Sequence, residues 1–236
     1  MSIVLFDKLQ DFEVAVSDRT ETETLTLSAH DAVLRYLLPN ILVEFTRRHP
    51  LTHIRLLNRR FSETVQLVQS NEADLGVIPE YRMTNDLVFH PLETYDVYLI
   101  LARDHPLLRG GTPQITDLLT EDIVNRYPLI LAEADSPEGS PVKEALSALG
   151  LPFNVRLEAG TVDTLKHYVS LGLGLGIVTG LCLTEEDNRS IVALPIPEQF
   201  WKGTTFGVIY RGDKHLSAPL AALLELMGVD VSGEKS

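Results

Sequence analysis

Gly160-Thr161-Val162-Asp163-Thr164-Leu165-Lys166-His167-Tyr168-Val169-Ser170-Leu171-Gly172-Leu173-Gly174-Leu175-Gly176-Ile177-Val178-Thr179-Gly180 is the stretch whose reading decides the fold. Thr161 has the hydroxyl of a helix N-cap, able to accept from a free N–H of the first turn. Asp163 falls in that turn, where the helix dipole favours negative charge. Val162, Leu165, Tyr168 and Val169 share one face at helical spacing. Gly172 stands where a C′ glycine ends a helix, and residues 174–178 read as a short buried strand. The unit is helix, tight turn, strand, and its helix N-terminus presents unpaired amide groups. A phosphate loop would follow a strand and open a helix. Here the order is reversed, so the glycines are expected to let helix and strand pack closely.

Outward from this unit, 236 residues are enough for one large or two small domains. The apolar fraction of 44% is that of a globular chain. The net charge of −13 argues against this chain gripping a nucleic-acid backbone by itself. Cys182 is the single cysteine, which excludes an intramolecular disulfide and a thiolate metal cluster. Its apolar Gly-Leu-Cys-Leu context marks a core thiol rather than a nucleophile. Residues 1–7 lack the basic start and apolar run of an export signal, and no apolar run is long enough to span a bilayer. A cytoplasmic location is expected, with no membrane partner.

Strand and helix then alternate along the chain. Strands are expected at 25–28, 54–57, 74–79, 87–91, 95–102, 129–132, 153–157, 174–178, 191–194 and 204–210. A helix opening at Asp31 carries Leu34, Leu37, Leu38, Ile41, Leu42 and Phe45 on one face, stops at Pro50 and should kink at Pro39. Further helices are expected from Ser62, over 115–119, from Ser140-Pro141 to Gly150, from Thr161, and over 216–227. Residues 136–140 read as a polar loop, 3–14 as a short helix and 17–24 as a linker. The alternation predicts an α/β fold of parallel sheet covered by helices on both faces.

The order of elements also carries a resemblance. Leu38-Pro39-Asn40-Ile41-Leu42 with Phe45 and Pro50, Ala73-Asp74-Leu75-Gly76-Val77, Asp104-His105-Pro106-Leu107, and Tyr168-Val169-Ser170-Leu171-Gly172-Leu173-Gly174 together resemble the effector-binding domain of LysR-type transcriptional regulators. The likeness runs over about 25–228. Arg35-Tyr36, Lys166 with Tyr168-Val169, and Thr204-Thr205 are similar to the subgroup that regulates sulfur assimilation. The resemblance implies a type-2 periplasmic-binding-protein-like fold, two α/β subdomains around a cleft, joined by two crossover strands near 99–103 and 204–206. Carried onto this chain, 1–24 is a linker or linker-helix stub, 25–101 plus 206–228 is subdomain I, 102–205 is subdomain II, and 229–236 is a flexible tail. It further implies a small-molecule effector in the cleft, no cofactor, and a homodimer or tetramer pairing through the first helix and its neighbouring strand, with Leu37, Ile41 and Leu56 as candidates. DNA would be reached through a helix-turn-helix domain that normally precedes this one. Residues 1–24 cannot hold it, so the chain is expected to be a piece of a longer protein or, alternatively, a stand-alone sensor.

Open α/β sheets bind ligands at the carboxyl ends of strands, beside helix starts. That rule selects Ser28, His30 and Asp31 after the first strand, Glu80 after the third, Glu133 and Ser136 after the 129–132 strand, and Gly160 and Thr161 before the helix quoted first. Ser28, Asp31 and Thr161 serve equally as helix caps, and Glu80 and Glu133 as solvated loop charges. His30 can donate to an anion or titrate near neutrality. The subgroup's pocket is rich in Thr and Gln, whereas this chain has His30, Asp31, Ala32 and Val33, and Glu133 for a threonine. Carboxylates at the cleft would repel a sulfate-like anion, so a ligand with amine or hydroxyl groups is expected. No enzyme is expected: there is no Gly-x-Ser-x-Gly elbow, no zinc-binding histidine pair and no Thr-Arg-Phe signature of prephenate dehydratases. A transport solute-binding protein is the remaining alternative.

Overall fold

The first strand, β1 (Thr24–Ala29), puts Leu25, Leu27 and Ala29 on one face, all buried. In the computed structural model, which describes residues 23–80, 86–118, 120–132, 146–147, 150, 152 and 154–231, β1 lies inside a five-stranded sheet. The further strands are β2 (His53–Asn58), β3 (Leu75–Pro79), β4 (Leu87–Tyr95), β5 (Val97–Ala102), β6 (Leu129–Ala132), β7 (Val155–Ala159), β8 (Leu175–Thr179), β9 (Ile191–Pro195) and β10 (Thr204–Arg211). The helices are α1 (Leu38–Arg48), α2 (Phe61–Gln69), α3 (Ile115–Leu118), α4 (Glu121–Arg126), α5 (Val162–Ser170) and α6 (Ala218–Leu226). One sheet has the order β2-β1-β3-β10-β4 and the other β7-β6-β8-β5-β9. Each sheet carries its own apolar core, so the chain folds as two α/β lobes.

The expectation of parallel sheet is corrected in part. β1 pairs parallel with β2 and β3, and β6 with β7 and β8. β10 enters antiparallel between β3 and β4, and β5 is antiparallel to β8 and β9. Each of those two strands arrives from the other lobe rather than through a crossover helix of its own, so nothing forces it parallel. Sheet membership also moves the first handover. β4 and β5 are separated only by Asp96, and Val97–Ala102 already belongs to the second sheet. The return runs through 196–203 into Thr204, which pairs with Tyr95. The two connections therefore lie side by side. Val229 and Val231, in the stretch expected as a tail, are buried in the first core. The helix expected over 3–14, the loop 136–140 and most of the helix after Ser140 fall outside the described residues.

The first helix differs from expectation in a way Pro39 explains. Helical backbone starts at Asp31, passes through a π-helical segment Val33–Leu37, and continues as α1. Leu38 N–H bonds the Val33 carbonyl, five residues back. Proline has no N–H to give and its ring crowds the carbonyl four residues before it. A wider turn ahead of Pro39 relieves that clash, a π-bulge taking the place of a simple kink.

The quoted stretch folds as read. Thr161 Oγ1 accepts from Thr164 N–H at 3.2 Å. Gly172 has φ +76°, and Leu173 N–H reaches the Tyr168 carbonyl while Gly172 N–H reaches that of Val169, a Schellman end. The glycines do admit close packing. A Cβ on Gly176 would stand 2.8 Å from Leu165 Cδ2, 3.0 Å from Val169 Cγ2 and 2.8 Å from Ile100 Cγ1. Gly176→Ala is therefore expected to destabilise the fold by about 1–3 kcal/mol, from overpacking between α5 and β8. Urea denaturation of the variant against the parent measures this, and an unchanged midpoint would refute the packing reading.

A second prediction concerns acid. His105 is buried, stacks edge-on to Tyr127 at 4.6 Å, and accepts through Nδ1 from Leu107 N–H at 3.3 Å. Burial pushes its pKa below the ordinary 6.5, against the pull of Asp104. The unfolded chain then takes up this proton first as pH falls, so stability should drop from about pH 6.5 downward. His105→Phe should lose less stability between pH 7 and pH 5 than the parent does, as read by urea titrations at both values.

Candidate functional site

The carboxyl ends of β1 and β2 and the end of β7 meet at one hollow. β1 ends at Ala29, which pairs with Asn58 at the end of β2, and Arg59 N–H bonds the Ala29 carbonyl at 3.0 Å. Across from them β7 ends at Ala159 and Gly160 follows. His30, Asn58, Arg59, Arg60, Glu63 and Gly160 line a cavity of about 250 Å³ between the lobes. Three of these residues stand at helix starts. His30 precedes the helix from Asp31, Arg60 is the N-cap of α2, and Gly160 stands one residue before the N-cap of α5. The starts of three helices are thus grouped around one space, and the positive ends of their dipoles suit it to negative charge.

The side chains sharpen this. The Arg59 guanidinium donates to the Asn58 carbonyl at 2.7 Å. The Glu63 carboxylate accepts from Arg60 N–H at 3.0 Å and so is committed to the start of α2. Among the described residues the lining carries two guanidinium groups and one carboxylate, with His30 beside them. A larger hollow of about 320 Å³ lies at the other end of the first sheet, lined by Asn71, Arg211, Asp213, Lys214 and His215. There Arg211 pairs with Asp213 at 2.8 Å and Lys214 with Asp74 at 2.9 Å.

The residues selected from the sequence distribute unevenly. His30 and Gly160 line the cavity together. Thr161 stands next to it as the α5 cap. Asp31 is half-buried in the first turn of its helix and helps hold Arg35 charged, after Asp163. Ser28 is fully buried, its hydroxyl 2.9 Å from that of Thr64 on α2, so it ties β1 to α2 and does not face the cavity. Glu80 is exposed, its N–H bonds the Thr205 carbonyl at 2.7 Å, and it is not among the lining residues. Glu133 and Ser136 lie outside the described residues. The sequence reading missed Asn58, Arg59, Arg60 and Glu63. The same rule would have found them, since they follow a parallel strand and open a helix.

Behind the cavity the two lobes are joined by polar side chains. Tyr36, on the π-helical segment, donates its hydroxyl hydrogen to Asp163 Oδ1 on α5. Arg35 Nε lies 2.9 Å from Asp163 Oδ2. Lys166, only 7% exposed, donates to Tyr36 Oη at 3.0 Å, to the Cys182 carbonyl at 2.8 Å and to Asp187 Oδ2 at 2.9 Å. Burial works against the lysine charge, but the bonds to Tyr36 and Asp187 outweigh it and hold the pKa above the ordinary lysine value. Burial and the bond to Asp163 favour the neutral Tyr36 phenol. Cys182 is buried and its thiol is pushed up by that burial, which keeps it protonated and inert.

With two lobes, two side-by-side connections and a cavity at strand ends between them, comparison with known proteins becomes decisive. The LysR substrate binding domain model matches residues 18–229. The chain belongs to that family. Among curated relatives, it is 28% identical over 207 residues to the HTH-type transcriptional regulator CysB of Burkholderia cenocepacia, covering 86% of this chain and 63% of that protein. It is 30% identical over 190 residues to the regulator Cbl of Escherichia coli, covering 80% of this chain and 58% of that protein. The chain thus spans less than two thirds of the length of these relatives. The cofactor-binding domain of the Cbl regulator superposes with a TM-score of 0.74 at 24% identity over 88% of both chains. The BenM effector-binding domain with its effector benzoate superposes at 0.70 with 18% identity, over 89% of this chain and 92% of that one. The effector-binding domain of QuiR with shikimate does so at 0.72 with 13% identity, over 88% and 96%. These structures establish the type-2 periplasmic-binding-protein-like fold.

Among the described residues no group of three or more His, Cys, Asp and Glu could hold a metal. His49 and His53 do stand four apart, a spacing overlooked in the sequence reading. They follow α1 and begin β2, so no helix face presents them together. No helix among the described residues is long and apolar enough to cross a membrane.

Proposed function

We propose that the chain is the effector-sensing part of a LysR-type transcriptional regulator, and that a small anionic molecule binds in the cavity lined by His30, Arg59, Arg60 and Gly160, beside Thr161. One observation carries this: the residues leading into three helices, two from one lobe and one from the other, border a single space. Backbone N–H groups at helix starts and two guanidinium groups all attract negative charge. The expectation of an amine or hydroxyl ligand rested on carboxylates at the cleft. Of those, Asp31 and Glu80 are not among the lining residues and Glu133 lies outside the described residues; Glu63, the one carboxylate of the described lining, is held by Arg60 N–H. The effectors named for BenM and QuiR, benzoate and shikimate, are both anions. Binding between two lobes that can change their separation supplies a signal, and the relatives that carry an HTH name suggest that DNA receives it. The lobes on this reading are 24–95 with 204–231, and 97–195. We read the chain as cytoplasmic and as a sensor rather than an enzyme or a transport protein.

The test is a thermal-shift series with benzoate, shikimate and sulfate, against an alkylamine and a neutral polyol as controls. At least one anion should raise the unfolding midpoint by mass action. Arg59→Ala and Arg60→Ala should each weaken that anion by about tenfold or more, the loss of a charge-assisted hydrogen bond. A midpoint raised by the amine and by none of the anions would overturn the anionic reading.

Self-association is part of the same proposal. Leu37 and Ile41, named earlier for it, pack mainly into the first core. Val43 on α1 is 69% exposed, and Leu56 on the edge strand β2 is 44% exposed. An open strand edge and an exposed apolar side chain on the first helix are features a second copy can cover. Sedimentation velocity at micromolar concentration should give a dimer for the parent chain and a monomer for Val43→Glu with Leu56→Glu. A parent that sediments only as a monomer rules this out.

A further inference from the structure

We propose that Tyr36 is a plug, that Asp163, Lys166 and Asp187 form its socket on the second lobe alone, and that the seated plug sets the separation of the lobes across the cavity. The assignment follows from sorting the contacts of Lys166 by lobe. Within the second lobe it reaches Asp187 Oδ2 at 2.9 Å, the Cys182 carbonyl at 2.8 Å and Asp163 Oδ1 at 3.4 Å. Asp187 in turn accepts from Thr184 N–H at 2.8 Å and from the Thr184 hydroxyl at 2.9 Å. These contacts compensate the buried ammonium without any group of the first lobe. Across the lobes run the Tyr36 hydroxyl bond to Asp163, the Lys166 bond to Tyr36 Oη at 3.0 Å, and the ammonium over the Tyr36 ring at 5.0 Å. Arg35 adds a bond to Asp163 from a side chain that is 62% exposed, which contributes little.

The consequence is mechanical. Had Lys166 been compensated only from the first lobe, separating the lobes would strand a buried charge, and they would be fused. As built, Tyr36 can leave and both Lys166 and Asp163 keep partners. The socket is releasable. The apolar contact of Leu181 and Cys182 with the first core lies beside the strand crossing, where Gly180 N–H bonds the Asp96 carbonyl at 2.7 Å, and acts as the pivot. The plug also connects to the cavity. Tyr36 lies less than two turns beyond His30, and Asp163 one turn beyond Gly160, so plug and socket belong to the two helices whose starts face each other across the cavity. A π-helical segment carries Tyr36, and such segments commonly mark places where a helix does something other than pack.

The experiment uses the full chain with no ligand added, so its outcome does not depend on what fills the cavity. Spin labels are placed at Gln66→Cys on α2 and Glu158→Cys on β7, both exposed positions, while the buried Cys182 stays unlabelled. Double electron–electron resonance should give one narrow distance in the labelled parent. Tyr36→Phe keeps the ring and removes only the hydroxyl, and should shift the distribution to longer distance and broaden it. Asp163→Ala, which removes the acceptor, should do the same, and the two changes combined should do no more than either alone. A folded Tyr36→Phe chain, by circular dichroism, with the parent's distribution overturns the plug. If Tyr36→Phe does not fold, Asp163→Ala decides by the same comparison. Loss of fold in both overturns it as well, because a releasable plug is not something the fold can require.

Discussion

The ammonium of Lys166 is the constraint on which the arrangement of the second lobe turns. A buried cation must be compensated where it stands, and removing one partner of a buried pair costs about 3–5 kcal/mol. Here the partners come from two 3-10 turns that follow β8, namely the Cys182 carbonyl and the Asp187 carboxylate. Meeting the lysine therefore fixes those turns against α5. On its other side α5 is held to β8 by the close approach over Gly176. Helix, strand and following turns become one frame. That frame holds the N-terminus of α5 at the cavity, where the Thr161 hydroxyl caps the Thr164 N–H.

How much of this was legible in the sequence depended on how local the physics was. The Thr161 cap and the Gly172 end are decided by residues a few positions apart, and the glycine-rich run into β8 marks a close approach by its composition alone; all were legible. The N-terminal half of the first helix was read as an ordinary helix with a kink. Proline's missing N–H was visible, but whether the backbone answers by bending or by widening a turn depends on what packs around it. Strand direction was not legible for β5 and β10. Alternation of strand and helix implies parallel pairing only when each strand returns to its own sheet. These two cross between lobes, and the single residue Asp96 that separates β4 from β5 carries no turn signal.

The candidate site shows the same division. Ser28 was taken for a ligand contact because it stands near a strand end. Yet both faces of β1 are covered, and a serine on the covered face needs an internal partner, which Thr64 on α2 supplies. Asn58, Arg59 and Arg60 were passed over because β2 was read as one more strand and its end was not examined for a helix start. Lys166 and Tyr36 were quoted for their resemblance alone. Nothing in a sequence says that residues 130 positions apart share a hydrogen bond.

The charge of the cavity carries the last step. A net charge of −13 describes the whole molecule, and it governs encounter at long range. Within a closed space the field is set by groups nearer than a Debye length, about 8 Å at physiological salt. On the proposed reading the described lining differs from the whole molecule: two guanidinium groups, one carboxylate held by a backbone N–H, and the positive ends of three helices. On the proposed reading, an anion approaching the acidic exterior would be repelled weakly and attracted only once it stood between the lobes. Attraction confined to the cleft is what makes occupancy informative. A ligand drawn equally to exposed surface and cleft would bind without distinguishing one lobe separation from another, and no equilibrium between separations could respond to it. Placing the positive potential at the junction of the two lobes makes the binding energy depend on their separation.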